Sequence, residues 1–322
     1  MSKIIIGIHG LGNKPPRDLL EEWWKMSLHD GLISIGRRFD NFRFHMTYWA
    51  DALHPVPLDP AVQDTKSKLF IDEPFTKLEK PGAEKPLKLR RRIINYLKNS
   101  LDKLVVKEIV TLNVPSLTNS FLHYYFRDLE IYYSNKYLEN TDPPALPKDV
   151  IRRRLVDDLK KYRSKKICLI AHSMGSIIAY DVLSKEVPDI NIDTFITIGS
   201  PLGQSLVMNK IKDEQNIPND QNLKVPDNIK TAWYNFSDTD DEVAINNSLS
   251  KNFAANAKNI GIRDITVRNN YISILEIKNP HKSYGYLRTP EVSEIIHLFL
   301  SRDENSFTKW LKRGLSRLAG RI

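Results

Sequence analysis

The stretch that most constrains this chain is Ile167-Cys-Leu-Ile-Ala-His-Ser-Met-Gly-Ser-Ile-Ile178. Its first five residues are apolar and of strand length, the pattern of a strand buried on both faces. Directly after His172-Ser173-Met174-Gly175, the apolar residues Ile177, Ile178, Val182 and Leu183 take up helical spacing. A chain that passes from strand to helix this abruptly brings neighbouring backbone against the turn. The positions two before and two after Ser173 must then be small, and they are Ala171 and Gly175. A doubly buried strand feeding a helix calls for a mostly parallel sheet with helices on both faces.

The rest of the chain repeats the pattern. Lys3–Ile8, Phe42–Tyr48, Ile167–Ala171, Thr194–Ile198, Lys230–Phe236 and Tyr271–Ile277 are β-branched or aromatic-rich runs of strand length. The spacing predicts a helix over Arg17–Leu32 and another whose apolar face is Val150, Ile151, Leu155, Val156, Leu159 and Tyr162, with its arginines facing water. Residues 51–147 hold no convincing core strand. That block opens Pro-rich, continues with a helical pattern between Ile93 and Ile109, and ends in an aromatic run from Phe121 to Tyr137. It is expected as an inserted, mainly helical cap on a core made of residues 1–50 and 148–322. Its aromatics line a substrate pocket or, more plainly, form the insertion's own small core. A shorter polar insertion is expected over Gly203–Asn228.

Composition narrows the classes. The chain has 322 residues, 41% of them hydrophobic, enough for a packed core. A single Cys168 excludes an internal disulfide framework and a cysteine zinc cluster. No apolar run has the roughly 18–20 residues needed to span a bilayer, and the start lacks a signal-peptide pattern, so a cytoplasmic setting is expected. The 48 basic side chains exceed the 39 acidic ones by nine, but no nucleic-acid-binding motif accompanies them, so nucleic acid is not an expected partner. The histidines form no H-E-x-x-H or ligand cluster, so neither a metal nor another cofactor is expected.

With strand and helix on either side, Ala171-His-Ser-Met-Gly175 resembles G-x-S-x-G, the nucleophile elbow of α/β-hydrolases, with alanine for the first glycine. A second element supports this. The strand Ile4–Ile8 ends in His9-Gly10-Leu11-Gly12, similar to the oxyanion-hole loop of lipases and esterases in that superfamily. Gly10 and Gly12 fit G-x-G, but Pro15 stands three residues after Gly12, so the spacing is not that of a dinucleotide loop. The resemblance implies that Ser173 is the nucleophile, that the amides of Leu11 and Met174 hold an oxyanion, and that His9 anchors its loop.

The superfamily's chain order is serine, then acid, then histidine. After Thr231–Phe236 comes Ser237-Asp-Thr-Asp-Asp-Glu-Val-Ala244, similar to the lipase run D-x-x-D-P-V-A. That alignment favours Asp241 as the triad acid, with Asp238, nearer the strand end, as the alternative. The run His281-Lys-Ser-Tyr-Gly-Tyr-Leu287 is lipase-like and one residue shorter than H-x-S-Y-x-G-Y-L. It implies that His281 is the base. His29, His45, His54 and His123 precede the serine, and His297 lies on a helix pattern.

What the resemblance implies is an α/β-hydrolase fold and a serine hydrolase that cleaves carboxylic esters or thioesters, lipid esters included, through an acyl-enzyme. The alternative is a non-catalytic protein of the same fold that binds a partner or an anionic membrane. Residues 307–322 place Phe307, Trp310, Leu311, Leu315, Leu318 and Ile322 on one helical face among basic residues. That pattern suits a peripheral membrane contact or a docked terminal helix.

Overall fold

In the computed structural model the described residues are 2–39, 41–76, 127–138, 141–244, 248–274 and 276–302. The helical pattern expected between Ile93 and Ile109, the aromatic residues 121–126 and the basic stretch 307–322 lie outside them. Six parallel strands form the central sheet: β1 (Lys3–Ile8), β2 (Phe44–Thr47), β3 (Lys166–His172), β4 (Ile192–Ile198), β6 (Ile229–Asp238) and β8 (Ile262–Val267). Their spatial order is β2-β1-β3-β4-β6-β8. The short strands β5 (Leu223–Lys224) and β7 (Phe253–Ala254) pair separately.

Side chains on a strand alternate between faces, and the core divides accordingly. Ile4, Ile6, Ile8, Leu169 and Ala171 join one apolar cluster, while Ile5, Cys168 and Ile170 join the other. Helix α1 (Arg17–Ser34) covers the second face with α5 (Ser283–Leu287) and α6 (Pro290–Ser301). The first face is covered by α2 (Pro147–Lys161), α3 (Met174–Asp181) and α4 (Ser205–Gln215). Ile170 is fully buried, so trimming it to alanine costs ~2–5 kcal/mol through lost burial and the cavity left behind.

Two expectations need correction. Tyr271–Ile277 is not a sheet strand but a compact turn, tied by the Ile272–Lys278 bridge and by Asn279 N–H donating to the Tyr271 carbonyl. The last strand of that sheet is β8, whose Arg263, Asp264 and Thr266 hid it, because an edge strand is incompletely covered and carries polar side chains on both faces. The Gly203–Asn228 stretch, expected as a short polar insertion, contains α4 and β5. Of the arginines on α2, Arg152 is buried and only Arg153 and Arg154 face water. Leu129 and Tyr132, near the end of the block expected as an insertion, are buried in the cluster that α2 and α3 build.

Candidate active site

β3 runs straight into α3, and Ser173 is the residue between them, with φ 52° and ψ −129°. That region is sparsely populated for a residue with a side chain and costs about 1–3 kcal/mol. Close packing holds the strain in place. A Cβ on Gly175 would stand 2.6 Å from the His9 carbonyl oxygen and 2.7 Å from that of Ile8, so only glycine fits under β1. The Ser173 N–H donates to the Ile198 carbonyl at 3.1 Å. Its Oγ is buried and has no hydrogen-bond partner among the described residues. The amide of Met174 opens α3, at the positive end of the helix dipole.

The loop after β1 lies against this turn, since a Cβ on Gly10 would come within 2.7 Å of Ser173 Cβ. His9 fastens the loop. Its Nε2 accepts from the Trp49 N–H at 3.0 Å, its Nδ1 donates to the Gly10 carbonyl at 2.7 Å, and its ring stacks on Trp49. Burial, helped by the nearby Lys14 charge, holds the His9 pKa well below the ordinary imidazole value. Neutral His9 therefore carries its proton on Nδ1. Leu11 follows in the same loop and is buried.

Asp241 and His281 meet just beyond the end of β6. His281 Nδ1 lies 2.9 Å from both carboxylate oxygens of Asp241. The ring sits over the end of β4, where a Cβ on Gly199 would stand 3.0 Å from Nδ1 and 3.1 Å from Cε1. Gly199 adopts φ 55° and directly follows Ile198, whose carbonyl holds the Ser173 N–H. The turn that carries the serine and the imidazole thus share one strand end.

Asp238, the alternative acid, braces the loops instead. It accepts from the Asp240 and Asn269 N–H groups, and the Asn269 amide donates to the carbonyls of Pro280 and Lys282 on either side of His281. Burial raises the Asp238 pKa, against the pull of those two N–H groups.

Several supporting residues carry no signal in the motifs. His172 donates from Nε2 to the His281 carbonyl at 2.7 Å, and its ring lies 4.8 Å from that of His281. Burial first, then the His281 charge, keeps its pKa well below the usual value. Tyr286 donates its hydroxyl to Asp241 Oδ2 at 2.6 Å. It sits inside the lipase-like run, which was the available hint. Gly199 could have been suspected only as the glycine that ends a predicted strand. Beyond His281, Lys282 and Asn279 hold Glu73. Glu73 stays below the ordinary carboxylate range because those partners outweigh the upward push of burial. Among the described residues no group of three His, Cys, Asp or Glu side chains is placed to hold a metal ion, and no helix is long and apolar enough to cross a membrane.

No curated protein matches the chain significantly. Residues 121–307 match the family described as PGAP1-like alpha/beta domain. That stretch carries the Ser173 turn, Asp241 and His281, and it is more than half the chain. With a mostly parallel six-stranded sheet wrapped by helices, the chain belongs to the PGAP1-like family of α/β-hydrolases.

Proposed function

We propose that this protein is a serine hydrolase cleaving carboxylic esters, lipid acyl esters and thioesters included, with Ser173 as nucleophile, His281 as base and Asp241 as the acid that orients it. The observation that carries the reading is the contact of His281 Nδ1 with both Asp241 oxygens, 2.9 Å each, above the strand end that anchors the strained Ser173 turn.

In this reading Ser173 Oγ attacks the acyl carbonyl carbon while its proton passes to His281 Nε2. The carbonyl oxygen becomes an oxyanion held by the N–H groups of Leu11 and Met174, each worth roughly 2.7–4 kcal/mol in the transition state. As the intermediate collapses, His281 gives the proton to the leaving alkoxide or thiolate, and the acyl group stays on Ser173. Water then attacks, losing a proton to the same imidazole, and Ser173 regains its hydrogen as the acid departs. Throughout, Asp241 keeps the proton on Nδ1 and stabilises the transient imidazolium.

A fluorophosphonate probe should label the protein at Ser173, and Ser173→Ala should abolish labelling without changing the melting temperature. p-Nitrophenyl esters from acetate to palmitate, with and without anionic vesicles, then define the acyl group. A preference for long chains that grows with vesicles supports lipid esters. A folded protein that takes no label and cleaves no ester is the non-catalytic alternative.

A further inference from the structure

Successive peptide units in the loop after β1 are each gripped by side chains. The Gly10 carbonyl accepts from His9 Nδ1 at 2.7 Å. On the next unit, the Leu11 carbonyl accepts from Lys14 Nζ while the Gly12 N–H donates to Asp128 Oδ2 at 2.6 Å. Lys14 Nζ also reaches the Gly12 carbonyl at 3.0 Å. A trans peptide is planar, with its C=O and N–H pointing in opposite directions. Holding the Gly10 carbonyl therefore sets where the Leu11 N–H points, and holding both ends of the Leu11–Gly12 unit stops that unit from rotating.

Asp128 is an unusual group to find there. It comes from the far end of the inserted block, 116 residues after the glycine it binds, and it is fully buried. Among the described residues only Oδ2 accepts a hydrogen bond; Oδ1 is buried with no partner among them, and His54 Nε2 stands 3.6 Å from Oδ2. Burying a carboxylate opposes folding, and the hydrogen bond Asp128 makes among the described residues goes to the loop peptide.

We propose that Asp128 and Lys14 are positioning residues that lock the Leu11–Gly12 peptide and, through the shared Leu11 Cα, keep the Leu11 N–H aimed at the oxygen that becomes negative on substrate bound to Ser173. The inference rests on the hydrolase reading above and adds that the inserted block helps complete the catalytic centre. A rotated Leu11–Gly12 unit would swing about that Cα and spoil a donor whose loss costs 10²–10³-fold in related chemistry.

The test uses the full chain and the variants Asp128→Ala, Asp128→Asn and Lys14→Met, each scored by kcat and KM on a p-nitrophenyl ester and by Ki for phenylboronic acid. The boronate becomes tetrahedral and anionic on the serine, so its Ki reads the oxyanion site directly. Asp128→Ala should lower kcat about 100-fold and raise the boronate Ki by a similar factor, with KM within about threefold. Asp128→Asn keeps an oxygen for the Gly12 N–H and should recover most of that loss. Lys14→Met should lower kcat and raise Ki together. Loss of folded protein at unchanged kcat and Ki per fluorophosphonate-titrated site would show a purely structural role and overturn the proposal, as would an Asp128→Asn as impaired as the alanine. Should Asp128→Ala fail to fold, wild-type kcat and Ki in Lys14→Met overturns it. A wild type inactive on every ester removes the hydrolase reading and this inference together. An active wild type with unaffected variants removes this inference alone.

Discussion

Tyr286 ties the end of β6 to the turn that follows it with one hydroxyl, donating to Asp241 Oδ2 at 2.6 Å and accepting from the Asp238 N–H at 2.8 Å. Burial and the Asp241 charge push its pKa well above the ordinary phenol value, so it stays a donor. Tyr286→Phe strips Asp241 of one partner and leaves a buried N–H unpaired. The expected cost is about 1–3 kcal/mol of stability, with kcat lowered about tenfold because Asp241 loses its fixed orientation. Urea melts and steady-state kinetics check both numbers, and an unchanged kcat would confine Tyr286 to the scaffold. The proposed Ser173, Asp241 and His281 could be picked from the sequence because each belongs to a local run whose shape such chemistry would dictate. His172, Gly199, Lys14 and Asp128 were not, since their contacts join segments far apart and no single run records them. The preference for Asp241 over Asp238 rested on the motif alignment alone, for a related reason. Both suit the turn, and only the folded loop shows Asp241 against the imidazole and Asp238 against Asn269.

Among the elements, strands buried on both faces were read nearly to the residue, because continuous β-branched runs leave little else for the chain to do. β8 was missed and Tyr271–Ile277 was mistaken for it. An edge strand mixes charge with apolar residues, whereas Ile272 and Ile274 alternate like a strand yet, with Ile277, stand exposed on a turn. A helix face was misjudged at Arg152 for want of its partners. Its Nη2 lies 2.6 Å from Asp181 and 2.8 Å from Glu214, and its Nε donates to Tyr132, whose own hydroxyl binds Asp181. This network couples α2 to α3, the helix that begins at Met174. Arg152→Ala abandons a buried carboxylate that burial already pushes above its usual range. It should destabilise by ~3–5 kcal/mol, while Arg153→Ala, exposed on the same helix, should stay within about 0.5 kcal/mol. Chemical denaturation separates the two, and a loss under about 1 kcal/mol for Arg152→Ala would mean that water replaces the network.

For the whole molecule, stability should rise with pH from mildly acid conditions upward. His9 and His172 are held neutral by burial, but both protonate near pH 6.5 once unfolded. Their contribution is complete above about 6.5 and is lost as pH falls below it, at up to ~1.4 kcal/mol per unit for each. Lys14 adds a second rise. Burial, then Lys282, brings its pKa down to about 7, whereas the unfolded chain keeps that proton until about 10.5, so stability climbs across the interval between. Urea midpoints at pH 5.5, 7.5 and 9 should increase in that order, and His172→Gln should flatten the acid part. The extent of the cooperative unit is a separate matter. The family match begins at residue 121, yet β1 sits between β2 and β3 in the sheet, carries the His9–Leu11 loop, and packs its Gly7 against Trp24 of α1. A chain starting at residue 121 would turn β3 into an edge, exposing Ile167, Leu169 and the unpaired backbone that now bonds β1. Bare apolar edges pair with whatever strand they meet. The 121–322 fragment should therefore aggregate or melt without a cooperative transition, as size-exclusion chromatography and thermal unfolding would show. A soluble fragment with a sharp transition would mean that the first two strands and α1 dock on a core that already holds itself together.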